Sequence, residues 1–450
     1  MFPRALWLSF AMLGGSAAAF AAEPARALVL VIGDQHSAYE RTAQLVATVD
    51  RLQAEHPGLP LAVLIDGDTQ EYGNVLARRS GGAVDFAMLA ALAARAPTVL
   101  NLGNHEPEFF NLAEAVRRIE ATGVKVVTNI VNPATGRSYA PNATTLPLGG
   151  TSAVVVGLAT NDLPTYLPAV RQALAIPDPV AWATRNFPSL LATAPLPIVL
   201  SHAGLAADRQ LLSLVPDGTL FSGAHDHLRF VHPFAHGVYF HSGSWNEFLT
   251  LAWLRGDPAG PPHWDVEQIP VPVDGPADAA LTALIRETRA KYLTPADTET
   301  VGHTAAARTK AGAAKFVAEA LRAAAGVDAA FIGNTTFGAG LPAGEVSRMD
   351  LDACVRFDGT IFTAEVDGAR LRRLLAAANQ DETTPFDERH GEFCFAAGPA
   401  DITPGRNYRL ATTDWGARNT ARYFGEPAIV WTETPGLRLK AVVTTALGAP

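Results

Sequence analysis

The chain has 450 residues, and 35 Lys and Arg against 44 Asp and Glu give a formal net charge of −9. Apolar residues make up 48% and charged residues only 18%, which supports sizeable cores and excludes a disordered chain. The acidic balance argues against a general nucleic-acid binder, although a metal or a local arginine can invert the charge at a small site.

At about 150 residues per domain, the length predicts two or three domains. Arg4 precedes an apolar run over 5–20, and Ala19-Phe20-Ala21 has the small-x-small form of a cleavage site. Residues 1–21 therefore read as a secretory signal peptide, cut near Ala22. The run is short for a spanning helix, and no later stretch of 18 uncharged apolar residues follows. The mature chain is expected to be secreted into a bacterial periplasm with no stable membrane anchor; an uncleaved anchor is the alternative.

From 26 to 255, strand-like runs alternate with helical stretches. The runs are ALVLVIGD (27–34), LAVLIDGD (61–68), TVLNLGN (98–104), VKVVTNI (124–130), TSAVVVGLA (151–159) and PIVLSHAG (197–204). Each is rich in Val, Ile and Leu, and most end in or near Gly, Asp, Asn or His. Between them, 39–55, 85–95 and 112–122 carry helical apolar spacing. Buried strands with helical crossovers predict a layered α/β domain, whose ligands gather at the carboxyl ends of strands. The Pro-rich stretch 256–276 reads as a linker, with a strand near 263–270 allowed within it. Helical patterns at 277–292 and 305–325 then open a second unit, 277–450, with its own core. Cys354 and Cys394 are the only cysteines. A disulfide between them and two buried thiols both stay open.

The polar residues fall at the strand ends. They are Asp34 and His36, Asp68 in DGD, Asn104 and His105 in LGNHEPEF, His202 in LSHAG, and His225 and His227 in SGAHDH. Each motif taken alone reads as a turn or a helix cap. On a strand, His225 and His227 would share a face. Together, two Asp, one Asn and four His (His105 aside) make a mixed oxygen and nitrogen donor set, suited to Mn, Fe, Zn or Co and unlike a thiolate site.

The order D-x-H, G-D, G-N-H-E, H and G-x-H-x-H resembles the calcineurin-like metallophosphoesterases, and the two-unit layout resembles their 5′-nucleotidase-like branch. The resemblance implies a four-layer αββα metallophosphoesterase domain followed by a smaller α+β domain like the 5′-nucleotidase C-terminal domain. It implies two divalent metal ions, the first held by Asp34, His36 and His227 and the second by Asn104, His202 and His225. Asp68 would bridge them. It further implies direct attack on phosphorus by a hydroxide bridging the metals, with His105 as general acid to the leaving alkoxide. Glu108 stands where the nucleotidases carry an Asp that orients that histidine. The first motif departs from the family at Ser37, where Gly is common.

The resemblance is weaker in the second unit. The stretch 341–375 has the nucleotidase rhythm, but the family's Arg after a Gly-rich turn is missing from IGNTTFGAGLPAG, and TTDWGARNTARYFG replaces a G-G-D-G-Y element. Phe357 in RFDG and Trp415 in TTDW stand at matching aromatic positions and are the candidate substrate-binding pair, either stacking on a base or filling the core. Arg418 or Arg422 is a candidate replacement cation. The expected activity is hydrolysis of small phosphomonoesters, with 5′-nucleotides among them. GDTQEYGN (67–74) also resembles the thiosulfohydrolases, so a sulfur-ester hydrolase is the enzymatic alternative and a non-catalytic periplasmic binding protein the other.

Overall fold

A computed structural model describes residues 23–257, 260–425 and 429–448. The expected signal peptide, 1–21, lies outside the described residues. Among those described, no helix is long and apolar enough to cross a membrane.

The first domain is built on two six-stranded sheets. Strands β1 (Ala27–Gly33), β2 (Leu61–Asp66), β3 (Thr98–Asn101) and β4 (Lys125–Val127) run parallel in one sheet. All seven residues of β1 are buried, which is why it reads as an unbroken apolar run rather than an alternation. The second sheet centres on Thr151–Ala159, Leu196–His202 and Thr219–Gly223, again parallel. Val29, Val31 and Leu64 from one sheet meet Ile198, Leu200 and Phe240 from the other in a single buried layer.

Helices α1 (Tyr39–Glu55), α2 (Val75–Ser80), α3 (Ala83–Arg95) and α4 (Leu112–Glu120) belong to the first-sheet side, and α5 (Pro179–Leu191) and α6 (Leu205–Leu211) to the second. Val46, Val49 and Leu52 of α1, at helical spacing, pack with Leu89 and Leu92 of α3 over Leu28 and Leu30 of β1. Phe187 of α5 and Leu211 of α6 cover the other side. The result is the four-layer αββα arrangement. Local chemistry sets the helix ends: the Asn74 side chain accepts from Leu76 N and Ala77 N at the start of α2, and Gly81 closes it at φ 62°.

The Pro-rich stretch read as a linker carries structure that belongs to the first domain. His263–Pro270 pairs antiparallel with Phe248–Arg255, extending the first sheet at its edge. Helix α7 (Ala279–Tyr292) likewise packs Leu281, Leu284 and Ile285 into the core of α1 and α3. The second domain holds a mixed five-stranded sheet, in the order Cys394–Ala397, Ala329–Gly333, Asn407–Thr413, Thr360–Asp367, Thr432–Arg438. Helix α8 (Lys310–Ala325) packs Val317 and Leu321 into a core shared with α5 and α6, so the two domains are joined by a common apolar layer. Cys354 and Cys394 are free and buried; of the two alternatives, the thiols hold.

Candidate metal centre

The donors arrive on the loops that follow the parallel strands. Asp34 and His36 follow β1, Asp68 follows β2, Asn104 and His105 follow β3, and His202 ends the strand Leu196–His202. The structure differs from the sequence reading at His225-Asp226-His227. The strand Thr219–Gly223 stops short of it, and the two histidines sit in a loop at φ 79° and 57°. Asp34, His36 and Asp68 also have positive φ, at 48°, 50° and 52°. Non-glycine residues rarely adopt this region, and such strain concentrates at functional sites.

Glycines let these loops close in. A Cβ on Gly103 would lie 2.2 Å from Asp68 Oδ1, and one on Gly67 would lie 2.6 Å from His202 Nδ1. The GD and GNH motifs thus need their glycines for close approach. Glu106, completely buried, pins the same loops by accepting from Asp68 N, Thr69 N and Gly103 N at 3.1, 2.8 and 2.7 Å.

The sequence-derived donors form two groups, each with its ligand atoms within 4.8 Å of one another: Asp34, His36 and His227, and Asp68, His202 and His225; Glu71 forms a third such group with His36 and His105. His36 Nε2 faces His227 Nε2 at 2.9 Å, and His225 Nδ1 faces Asn104 Oδ1 at 3.0 Å. Asp68 Oδ2 reaches both groups, lying 3.1 Å from His202 Nε2 and 3.9 Å from His36 Nε2. All seven sequence-derived candidates for metal binding therefore meet in one place.

The arrangement suits cations. His202 Nδ1 lies 2.8 Å from the Asp66 carbonyl, which can only accept, so Nδ1 carries the proton. Its Nε2 lies 3.1 Å from Asp68 Oδ2; burial pushes this histidine down, but the carboxylates of Asp68, Asp34 and Asp66 outweigh it and hold it well above its ordinary value. The carboxylates around that nitrogen draw a positive charge to it, and a divalent cation can supply that charge in place of the proton. Burial drives His36 and His225 down to about 3, which keeps both imidazoles neutral and able to ligate at neutral pH.

His105 stands beside the donors. Its Nδ1 lies 3.0 Å from Glu108 Oε1, and its Nε2 lies 3.8 Å from Asp68 Oδ2. Burial pushes this histidine down, but the carboxylates of Glu108 and Asp68 outweigh it and raise it to about 10. A cavity of about 360 Å³ opens here, lined by Asn104, His105, Tyr166, Arg356, Phe357 and Trp415 among others. Phe357 is 52% exposed on its wall, so it is not a core aromatic. The Trp415 indole N–H donates to Tyr423 Oη at 3.2 Å.

The sequence reading missed two charged residues at this site, Glu71 and Arg356. Arg356 projects from the second domain, its side chain 3% exposed, and pairs with Glu71 of the first. Arg418 and Arg422 do not fill that role. Arg418 pairs with Asp414 at the surface, and Arg422 with Asp162 and Glu392. The only sequence signal was a pair of opposite charges inside two motifs already singled out, GDTQEYGN and RFDG.

Residues 27–229 match the family model of the calcineurin-like phosphoesterases, and residues 294–391 match that of the 5′-nucleotidase C-terminal domain. The chain thus carries a calcineurin-like phosphoesterase domain followed by a 5′-nucleotidase C-terminal domain. The former family comprises metal-dependent phosphoester hydrolases. Among solved structures, a 5′-nucleotidase precursor from Thermus thermophilus superposes with a TM-score of 0.63 at 16% identity, covering 94% of this chain and 96% of that one. The sulfate thiohydrolase SoxB of the same organism gives 0.61 at 16% identity, over 90% and 80%. A 5′-nucleotidase from Candida albicans gives 0.60 at 13%, over 94% and 98%. At such identities the likeness is one of fold. No curated protein matches the chain.

Proposed function

We propose that this phosphoesterase is an exported phosphomonoesterase that acts on small phosphorylated substrates, 5′-nucleotides among them, at a site for two divalent cations. The observation that carries the reading is the shared position of Asp68 Oδ2, in reach of both donor groups. Asp34, His36 and His227 would hold one cation and Asn104, His202 and His225 the other, with Asp68 in reach of both. When bound, such a pair supplies positive charge at the phosphoryl oxygens and acidifies water enough for attack near neutral pH.

The chain's own residues do the rest. Glu108 fixes the His105 ring and keeps it protonated, so Nε2–H can be given to the departing alkoxide oxygen. Phe357 and Trp415 offer apolar faces on which a nucleobase can stack at the mouth of the cavity. Tyr166 and Arg356 line the same cavity. Export is supported by the leader over 1–21.

The test is phosphate release from 5′-AMP and from an aryl phosphomonoester by the mature protein loaded with Mn²⁺, Mn being one of the metals that the donor set suits. Turnover of both, abolished by chelator, is expected. Aryl turnover without AMP would remove nucleotides from the reading. Silence on both, with metal bound, would turn it toward sulfur esters or a binding role.

A further inference from the structure

Glu71 stands outside the seven donors but within their reach, and a role for it there rests on the two-cation reading of the site. It is carried by the segment between β2 and α2, with its side chain 4% exposed. Its Oε1 accepts from Gly73 N at 2.8 Å, and its Oε2 lies 3.3 Å from His36 Nδ1. The same Oε2 accepts from Arg356 Nε at 2.9 Å and from Arg356 Nη2. Arg356 lies 285 residues further along the chain. Its guanidinium sits 5.0 Å from the Trp245 ring and 4.9 Å from the Phe357 ring, and its Nη1 donates to the Thr335 carbonyl at 3.2 Å.

A buried ion pair is a poor device for stability, because removing each ion from water costs several kcal/mol. The position of this one suggests a different use. His36 offers Nε2 toward His227 and Asp68. An imidazole that ligates through Nε2 carries its proton on Nδ1, and that N–H needs an acceptor. Beside Nδ1 lie Glu71 Oε2 and, at 3.2 Å, Arg356 Nη2. A guanidinium has only donors, which leaves the carboxylate as the acceptor. Trp245, stacked on His36 at 4.8 Å between ring centroids, holds the ring in the plane this requires.

We propose that Glu71 is the positioning residue of the first cation subsite. It accepts the Nδ1–H of His36, sets the tautomer that leaves Nε2 free for a divalent cation, and is held in place by Arg356 from the second domain.

The proposal is tested by titrating Zn²⁺ into the metal-free wild-type protein and the Glu71→Met/Arg356→Met double variant by calorimetry. The double variant removes both charges together and so leaves no unpaired ion in the interior. Wild type is expected to bind two ions per chain. The double variant should bind one of them as tightly as wild type and the other about 10- to 100-fold more weakly, with the melting temperature of its metal-free form close to wild type. Equal affinity at both subsites in the two proteins overturns the role of Glu71 and leaves the site reading standing. A wild type that binds no Zn²⁺ overturns both. A second measurement needs no variant. In ¹⁵N-histidine NMR of the Zn²⁺-loaded wild type, His36 should be protonated at Nδ1, and protonation at Nε2 overturns the proposal.

Discussion

The two walls of the cavity are made in different ways. The first domain contributes ligand groups from loops after parallel strands, with backbones held at positive φ at five of them and glycines that admit nothing larger. The second domain contributes aromatic faces, that of Phe357 exposed, and one buried arginine, on segments with ordinary backbone geometry. Groups that would bind a cation directly are restricted in residue type and tolerate little displacement. A wall that meets a substrate's organic part is restricted in shape more than in identity. The difference predicts steep losses from changes on one side and graded, substrate-dependent ones on the other.

The largest effect is expected at Asp68. Asp68→Asn should lose at least one metal ion per chain by elemental analysis and lower turnover by roughly a thousandfold. Two ions retained would break the comparison at its centre. Next comes His105→Ala, which should keep its metals and lose roughly 10²- to 10⁴-fold in kcat, with alkyl esters hit harder than activated aryl esters. Equal losses on the two substrates would remove its role as proton donor. On the opposite wall, Phe357→Ala and Trp415→Ala should each raise KM for AMP by about tenfold, as lost base stacking predicts, and leave an alkyl phosphate unchanged.

The smallest effect lies on the seam away from the site. Arg79 of α2 grips both oxygens of Asp297, and Thr294 donates to the same carboxylate, which holds its carboxyl well below the usual range. A folded value below the unfolded one adds stability in full above about pH 4, and that contribution is lost as the pH falls through the folded value. Asp297→Asn should cost about 1 kcal/mol at neutral pH, with the cost shrinking as the solution is acidified, by thermal melting. Turnover should not change.

The metal end was legible in the sequence because Asp, Asn and His recur after apolar runs in a fixed order, and few other roles need that set. Strand and helix positions in the first domain followed from the same alternation, as for Ala27–Gly33 and Tyr39–Glu55. Where legibility failed, the cause was pairing across the fold. Prolines around 256–276 signal a linker, yet Leu254 sits opposite Trp264 in the first sheet, a register no local pattern encodes. SGAHDH reads as a strand by its alternation, but positive φ at both histidines turns it into a loop. Phe357 could be singled out by its motif, whereas its neighbour Arg356 has a function only through Glu71, and nothing around RFDG marks that arginine as buried.

The pairing of Glu71 with Arg356 turns the metal centre into a gauge of domain docking. Swinging the second domain away would leave a bare carboxylate beside His36 and shift the field felt by an ion in the first subsite. A Co²⁺ ion placed there would report that shift in its absorption spectrum, so the posture of the whole molecule could be followed from a single atom.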